Sequence, residues 1–339
     1  MTNFALMKKR LFFLGIPLLL SAIYLAGPMP ESPVYDLSWP NIDGNIENHV
    51  FNLENRSDIK TNNEAEIIWV NDSSKEKTEY VLLYLPGFTA TKMEGDPVYQ
   101  DFATRYGCNV FAARLASQGI DTIEPMLGYT ADRLWKSAVE ALAIAEKLGN
   151  KVIIMSTSTG GTLALKLAAE FPQKVEALIN LSPNIRVKAW NAFLLNKPWG
   201  LQISRAVLGG NYRTLTNVDS NYANYWYDSY RIECLPQMQE LVESTMNEAT
   251  FARVTCPTLS LFYFKNKEES DDVIRVDKIF WMHEFLATSE ADKRLAQIEN
   301  AGTHVIGCGL YSKAIPEVEI AIFSFAEEVL NLKPNQIVL

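Results

Sequence analysis

Lys151-Val-Ile-Ile-Met155, Ser156-Thr-Ser-Thr-Gly-Gly161 and Thr162-Leu-Ala-Leu-Lys-Leu-Ala-Ala-Glu170 follow one another without a break. The first run is short, apolar and β-branched, as a buried strand is. The last has strong helix formers with apolar residues at helical spacing. A strand that ends in small residues and passes at once into a helix is the setting of a nucleophile elbow, where a serine sits on a sharp turn at the top of a sheet. The usual pattern is Gly-x-Ser-x-Gly, and Ser156 stands here in place of the first glycine. That position asks for a small side chain more than for glycine's backbone freedom. Ser158 is therefore the candidate nucleophile.

Similar runs lie on both sides. Glu66-Ile-Ile-Trp-Val70, Tyr80-Val-Leu-Leu-Tyr-Leu85, Asn109-Val-Phe-Ala-Ala113, Ala177-Leu-Ile-Asn-Leu181, Thr258-Leu-Ser-Leu-Phe-Tyr-Phe264 and Arg294-Leu-Ala-Gln-Ile-Glu299 all read as strands. A further strand-like run is expected after Asn48. Continuous apolar runs such as 80–85 fit strands covered on both faces. Thr130–Leu148 reads as a helix with a threonine cap, an acidic first turn and Gly149 beyond its end. Strands alternating with such helices predict an α/β chain with a mostly parallel sheet flanked by helices. The alternation stops at about 184–254, which has helical or irregular patterns and no convincing strand. This insert is expected to cap the carboxyl end of the sheet, where open α/β sheets bind ligands.

A serine hydroxyl needs a base to take its proton, and the base needs a third group to fix its tautomer. The chain has three histidines, His49, His283 and His304. His49 precedes the main sheet, and His283 falls within a helical pattern. His304 lies in the small-residue loop Asn300-Ala-Gly-Thr-His-Val-Ile306 after the last strand, from which an imidazole can reach the elbow. It is the candidate base. The acid is sought between nucleophile and base, in Lys265-Asn-Lys-Glu-Glu-Ser-Asp-Asp-Val-Ile274. Asp271 is favoured because Val273-Ile274 anchors the loop beyond it, with Asp272 as the alternative. Two backbone donors should hold the oxyanion. One is the N–H of Thr159, directly after the nucleophile. The other is the N–H of Phe88 in Leu85-Pro-Gly-Phe-Thr-Ala-Thr91, where Gly87 lets the backbone approach a substrate.

Taken together, Leu85–Thr91, Ser156–Gly161, Asp271–Ile274 and Ala301–Val305 resemble the α/β-hydrolase superfamily, within it the capped esterases and monoacylglycerol-lipase-like enzymes. The resemblance covers about residues 65–330. In many relatives the oxyanion loop begins His-Gly, and here Pro86 holds the histidine's place. The resemblance implies a serine hydrolase that cleaves small-molecule carboxylic esters or lipids through an acyl-enzyme, with Ser158, Asp271 and His304 as its triad. That mechanism needs no metal and no cofactor.

Lys8-Lys9-Arg10 precedes an uncharged apolar run over Leu11–Ala26. A basic flank before such a run reads as an export signal or a signal anchor. Residues 1–27 are therefore expected to attach the protein to a membrane or export it, with the catalytic body extracytoplasmic (periplasmic in a bacterium). Residues 28–45 are expected to be a tether, and 46–335 the catalytic domain with its cap. The net charge of −9 argues against a nucleic-acid surface. Cys108, Cys234, Cys256 and Cys308 show no metal spacing, and pairing and free thiols both remain open.

The insert is rich in aromatics: Trp190, Phe193, Trp199, Tyr222, Tyr225, Trp226, Tyr227 and Tyr230. Most should pack the cap to the body, and a few lining a pocket would suit an ester of small to medium chain. The alternatives are a peptidase or amidase on the same scaffold, or a membrane-tethered binding module without activity.

Overall fold

Nine strands run in chain order: β1 (Glu66–Ile68), β2 (Thr78–Leu85), β3 (Asn109–Ala112), β4 (Gly149–Thr157), β5 (Ala177–Leu181), β6 (Tyr212–Thr214), β7 (Ser229–Arg231), β8 (Thr258–Tyr263) and β9 (Lys293–Ile298). They come from a computed structural model that describes residues 16–216 and 218–335. Seven of them form one sheet in the order β1-β3-β2-β4-β5-β8-β9. All neighbours in it are parallel except β1, which pairs antiparallel with β3. Parallel strands need crossovers, and helices on both faces supply them.

Side chains along β2 and β4 alternate between two apolar layers, as the two-residue period of a strand requires. Leu83, Leu85 and Ile154 pack on one face with Trp135 and Leu165. Leu82, Tyr84, Ile153 and Met155 pack on the other with Phe102 and Phe325. Burial on both faces explains why these strands read as unbroken apolar runs. The helix after Thr130 spans Ala131–Leu148, and the Thr130 hydroxyl accepts the Arg133 N–H at 3.4 Å.

Three expectations need revision. The strand-like run after Asn48 lies in a helix, Ile46–Glu54, whose first turn is closed by the Asn45 side chain accepting the Asn48 N–H at 3.0 Å. The insert is not free of strands, because β6 and β7 pair as a short antiparallel hairpin. The third concerns the N-terminus. A helix needs roughly 20 residues to cross a bilayer core. Among the described residues no helix is long and apolar enough to do so. The described helical part of the apolar run covers residues 16–25. This overturns the expected anchor with an extracytoplasmic catalytic body. Lys8-Lys9-Arg10 and the start of the apolar run lie outside the described residues.

Residues 28–45 run against the body. Tyr35 hydrogen-bonds Ser244 at 2.7 Å, and the Trp135 indole donates to the Asp36 carbonyl at 2.6 Å. Trp39 packs edge-on against Phe171, and the Lys174 ammonium stands over the Trp39 ring. Trp135, fully buried, also stacks on Phe171 with centroids 6.0 Å apart.

All four cysteines are buried free thiols. Burial pushes the Cys108, Cys256 and Cys308 thiols up to about 12. Without reductant, an aromatic-disulfide thiol assay should therefore find four thiols in denatured protein and very slow reaction in folded protein. Trp135→Ala should lower the unfolding free energy by roughly 3–5 kcal/mol, measured by urea denaturation, because it leaves a cavity and an orphaned Asp36 carbonyl.

Candidate active site

Ser158 sits at the end of β4, between that strand and the helix Thr159–Glu170, with φ 54° and ψ −117°. A left-handed φ in a residue with a side chain is strained and persists only where its surroundings enforce it. The enforcement is visible. The Ser158 N–H donates to the Leu181 carbonyl at 3.0 Å, and the Ser158 carbonyl accepts from Gly161 and Asn184 at 2.9 Å each. Gly160 is required by contact, since a Cβ there would lie 2.2 Å from the Leu85 carbonyl oxygen. Ser156 is buried, and its hydroxyl reaches the Asn180 side chain at 2.9 Å. A small polar residue fits that place, inside β4 and two residues before Ser158.

The loop after β9 brings His304 to the same cavity as Ser158. Its Nδ1 is 2.7 Å from Asp271 Oδ2. Asp271 is fully buried at the head of the loop after β8, and its Oδ1 accepts the N–H groups of Val273 and Ile274 at 2.9 and 3.1 Å. Burial alone would raise the Asp271 carboxyl, but the His304 ring and those two N–H groups outweigh it and hold it below the usual carboxylate range. Burial would likewise lower His304, yet Asp271 above all, with Glu94 and Asp272, raises it above the ordinary imidazole value. His304 Nε2 is buried with no hydrogen-bond partner in the described structure. It is therefore free to take a proton within the cavity. Asp272, the alternative acid, is exposed and makes no contact with the ring by hydrogen bond.

The two expected backbone donors also reach this cavity. Phe88 and Thr159 both line it. As the first residue of its helix, Thr159 has an N–H without an intrahelical acceptor. Among the described residues the Phe88 N–H likewise has no acceptor, and its ring is held edge-on between Tyr129 and Tyr230 at 5.2 and 5.6 Å. His283 lies in the helix Val276–Phe285 and His49 in Ile46–Glu54, away from Ser158.

The cavity measures about 610 Å³. From the insert it takes Arg213, Tyr222, Trp226, Tyr230 and Met238. The other aromatics of the insert behave differently: Tyr227 is buried in packing, while Trp190 is 83% exposed. Two wall residues escaped the sequence reading. Arg213 is a lone cation among aromatics. Glu94, seven residues beyond Gly87, is a buried carboxylate in a segment that reads only as loop. The one signal for Glu94 is its place directly before Gly95, whose Cα lies against the Tyr84 ring and leaves no room for a side chain.

No protein-family model matches the chain, and no curated protein does. Solved structures do. One of the metagenome-derived lipolytic enzymes LipS and LipT superposes with a TM-score of 0.62 at 16% identity, covering 79% of this chain and 98% of its own. The enol-lactonase from Burkholderia xenovorans LB400 gives 0.52 at 12% identity, covering 78% and 96%. The Paleococcus ferrophilus monoacylglycerol lipase gives 0.50 at 13% identity, covering 76% and 99%. At such identities the likeness is one of architecture, and together with the sheet order and the elbow it establishes that the chain has the α/β-hydrolase fold.

Proposed function

We propose that the protein is a serine hydrolase that cleaves carboxylic esters through an acyl-enzyme. The observation that carries this reading is the pairing of the buried Asp271, at 2.7 Å, with His304, which lines the same cavity as Ser158. Ser158 Oγ attacks the ester carbonyl carbon while His304 Nε2 takes the hydroxyl proton. Asp271 accepts the Nδ1–H, which leaves Nε2 unprotonated for the serine, and stabilises the imidazolium. The N–H groups of Phe88 and Thr159 hold the oxyanion. Collapse of the tetrahedral intermediate expels the alcohol, which receives the proton from His304. Water then attacks the acyl group by the same steps in reverse and frees Ser158.

The fold neighbours described as lipolytic enzymes, a monoacylglycerol lipase and an enol-lactonase support ester over amide chemistry. An apolar wall of Phe88, Tyr222, Trp226 and Tyr230 supports an acyl or aromatic ester of small to medium size. A peptidase that captures a free amino terminus would gain from acidic cap side chains, and the cap contributes Arg213 instead.

A fluorophosphonate probe should label the wild-type protein at Ser158, and Ser158→Ala should abolish both labelling and turnover of p-nitrophenyl esters. Labelling that survives the substitution, or a protein that ignores every ester in a graded series, would overturn the reading. Asp271→Asn should lower kcat by about 10,000-fold with little change in folding temperature, because it reverses the tautomer of His304. The base must be neutral to act. Since His304 is raised above 6.5, kcat/KM should rise with pH through an apparent pKa above that value and fall away on the acid side.

A further inference from the structure

Glu94 is a carboxylate that the serine chemistry leaves unused, yet it is shut inside the site. It stands in the 3-10 turn Lys92–Gly95, 2% exposed, on the cavity wall with Ser158 and His304. One of its oxygens accepts the Gly87 N–H at 2.5 Å, and Trp226 of the cap shares the cavity wall with it. A Cβ on Gly87 would lie 2.9 Å from both Glu94 oxygens and 2.9 Å from Ser158 Cβ. Carboxylate and nucleophile therefore flank the same bare Cα. The next N–H along the chain is that of Phe88.

We propose that Glu94 is a positioning residue of the ester-cleaving site, which grips the Gly87 N–H so that the Phe88 N–H is held toward Ser158, and which favours the imidazolium that forms on His304. This rests on the serine-hydrolase reading above. A peptide whose N–H is tied to a buried charge cannot rotate without leaving that charge unpaired, which is costly in a low-dielectric site. Fixing the Pro86–Gly87 peptide in this way limits the orientations open to the Gly87–Phe88 peptide beyond it. The oxyanion donor is then in place before substrate arrives, and preorganised donors are the ones that accelerate the chemical step.

The electrostatic part follows from what faces the carboxylate. Tyr84 and Cys308 stand near it from the body and Tyr222 from the cap, and burial keeps all three protonated and neutral. Arg213 and Asp272 lie elsewhere on the cavity wall. His304 is the group beside Glu94 that becomes positive during the reaction, and the two favour each other's charged forms. Burial pushes the Glu94 carboxyl up to about 7, against the pull of the Gly87 N–H, His304 and Trp226. Its charge is thus present above neutrality and lost as the pH falls below it.

Glu94→Gln and Glu94→Asp in the full chain test this, with p-nitrophenyl butyrate as substrate and melting temperature as the control for folding. Glu94→Gln should lower kcat by about 10- to 100-fold with KM within about twofold, since both effects act on the transition state. Its acid limb in kcat/KM should move to lower pH, because His304 loses a neighbouring negative charge. Glu94→Asp keeps the charge but draws it back from Gly87, so kcat should fall while the acid limb stays near that of the wild type. A Glu94→Gln enzyme with wild-type kcat and an unmoved limb would overturn the proposal. So would a loss of activity that tracks melting temperature alone. If Glu94→Gln does not fold, the Glu94→Asp enzyme decides: wild-type kcat sinks the positioning role. Failure of the wild type to be labelled at Ser158 would instead strike the serine-hydrolase reading itself.

Discussion

The left-handed turn at Ser158 is held by crowding from several directions, and the rest of the site is arranged around that crowding. Leu85 and Gly160 are in near contact, so the elbow helix lies directly beneath the loop that carries Phe88. The same contact brings the end of β2 and the end of β4 together, and the pairing of Leu85 with Ser156 sets their register. Shifting either strand by one residue would turn the apolar faces of the sheet inside out. The strained backbone is thus secured by the most deeply buried part of the protein.

Legibility in the sequence followed how local each signal was. The elbow and its two flanking elements could be read because a strand, six small residues and a helix follow one another. The central strands could be read because burial on both faces leaves unbroken apolar runs, and the bounds of Ala177–Leu181 agree to the residue. His304 was placed by its loop after the last strand and Asp271 by chain order, and the structure brings them within hydrogen-bond distance. The run at 46–54 misled because Val50-Phe51 look strand-like, whereas the Asn45 cap and one buried position, Val50, make it a helix lying on the surface. The cap hairpin was missed because three-residue strands with exposed side chains at β6 have no apolar pattern to detect. Glu94 was missed for a different reason. The groups around it, Gly87, Trp226 and His304, come from three separate parts of the chain.

The site carries more negative charge than a bare triad would. Asp271 and Glu94 are both buried beside one imidazole, from well-separated parts of the sequence. Asp271 is held ionised by two backbone N–H groups and the imidazole, whereas Glu94 has the Gly87 N–H alone, and burial pushes its carboxyl up to about 7. The arrangement favours a positive charge on His304.

The contacts of residues 28–45 join the beginning of the described chain to parts made much later. Tyr35 meets Ser244 across 209 positions, and the Trp135 indole closes on Asp36 across 99. Pairings of such separation form late, because the loops they close are long and the surface they dock on must exist first. During synthesis this first stretch emerges with Tyr35 and Trp39 exposed and waits for the helix Cys234–Thr245 to be made. It is a clasp made first and fastened last, and until it fastens the back of the elbow helix stays open.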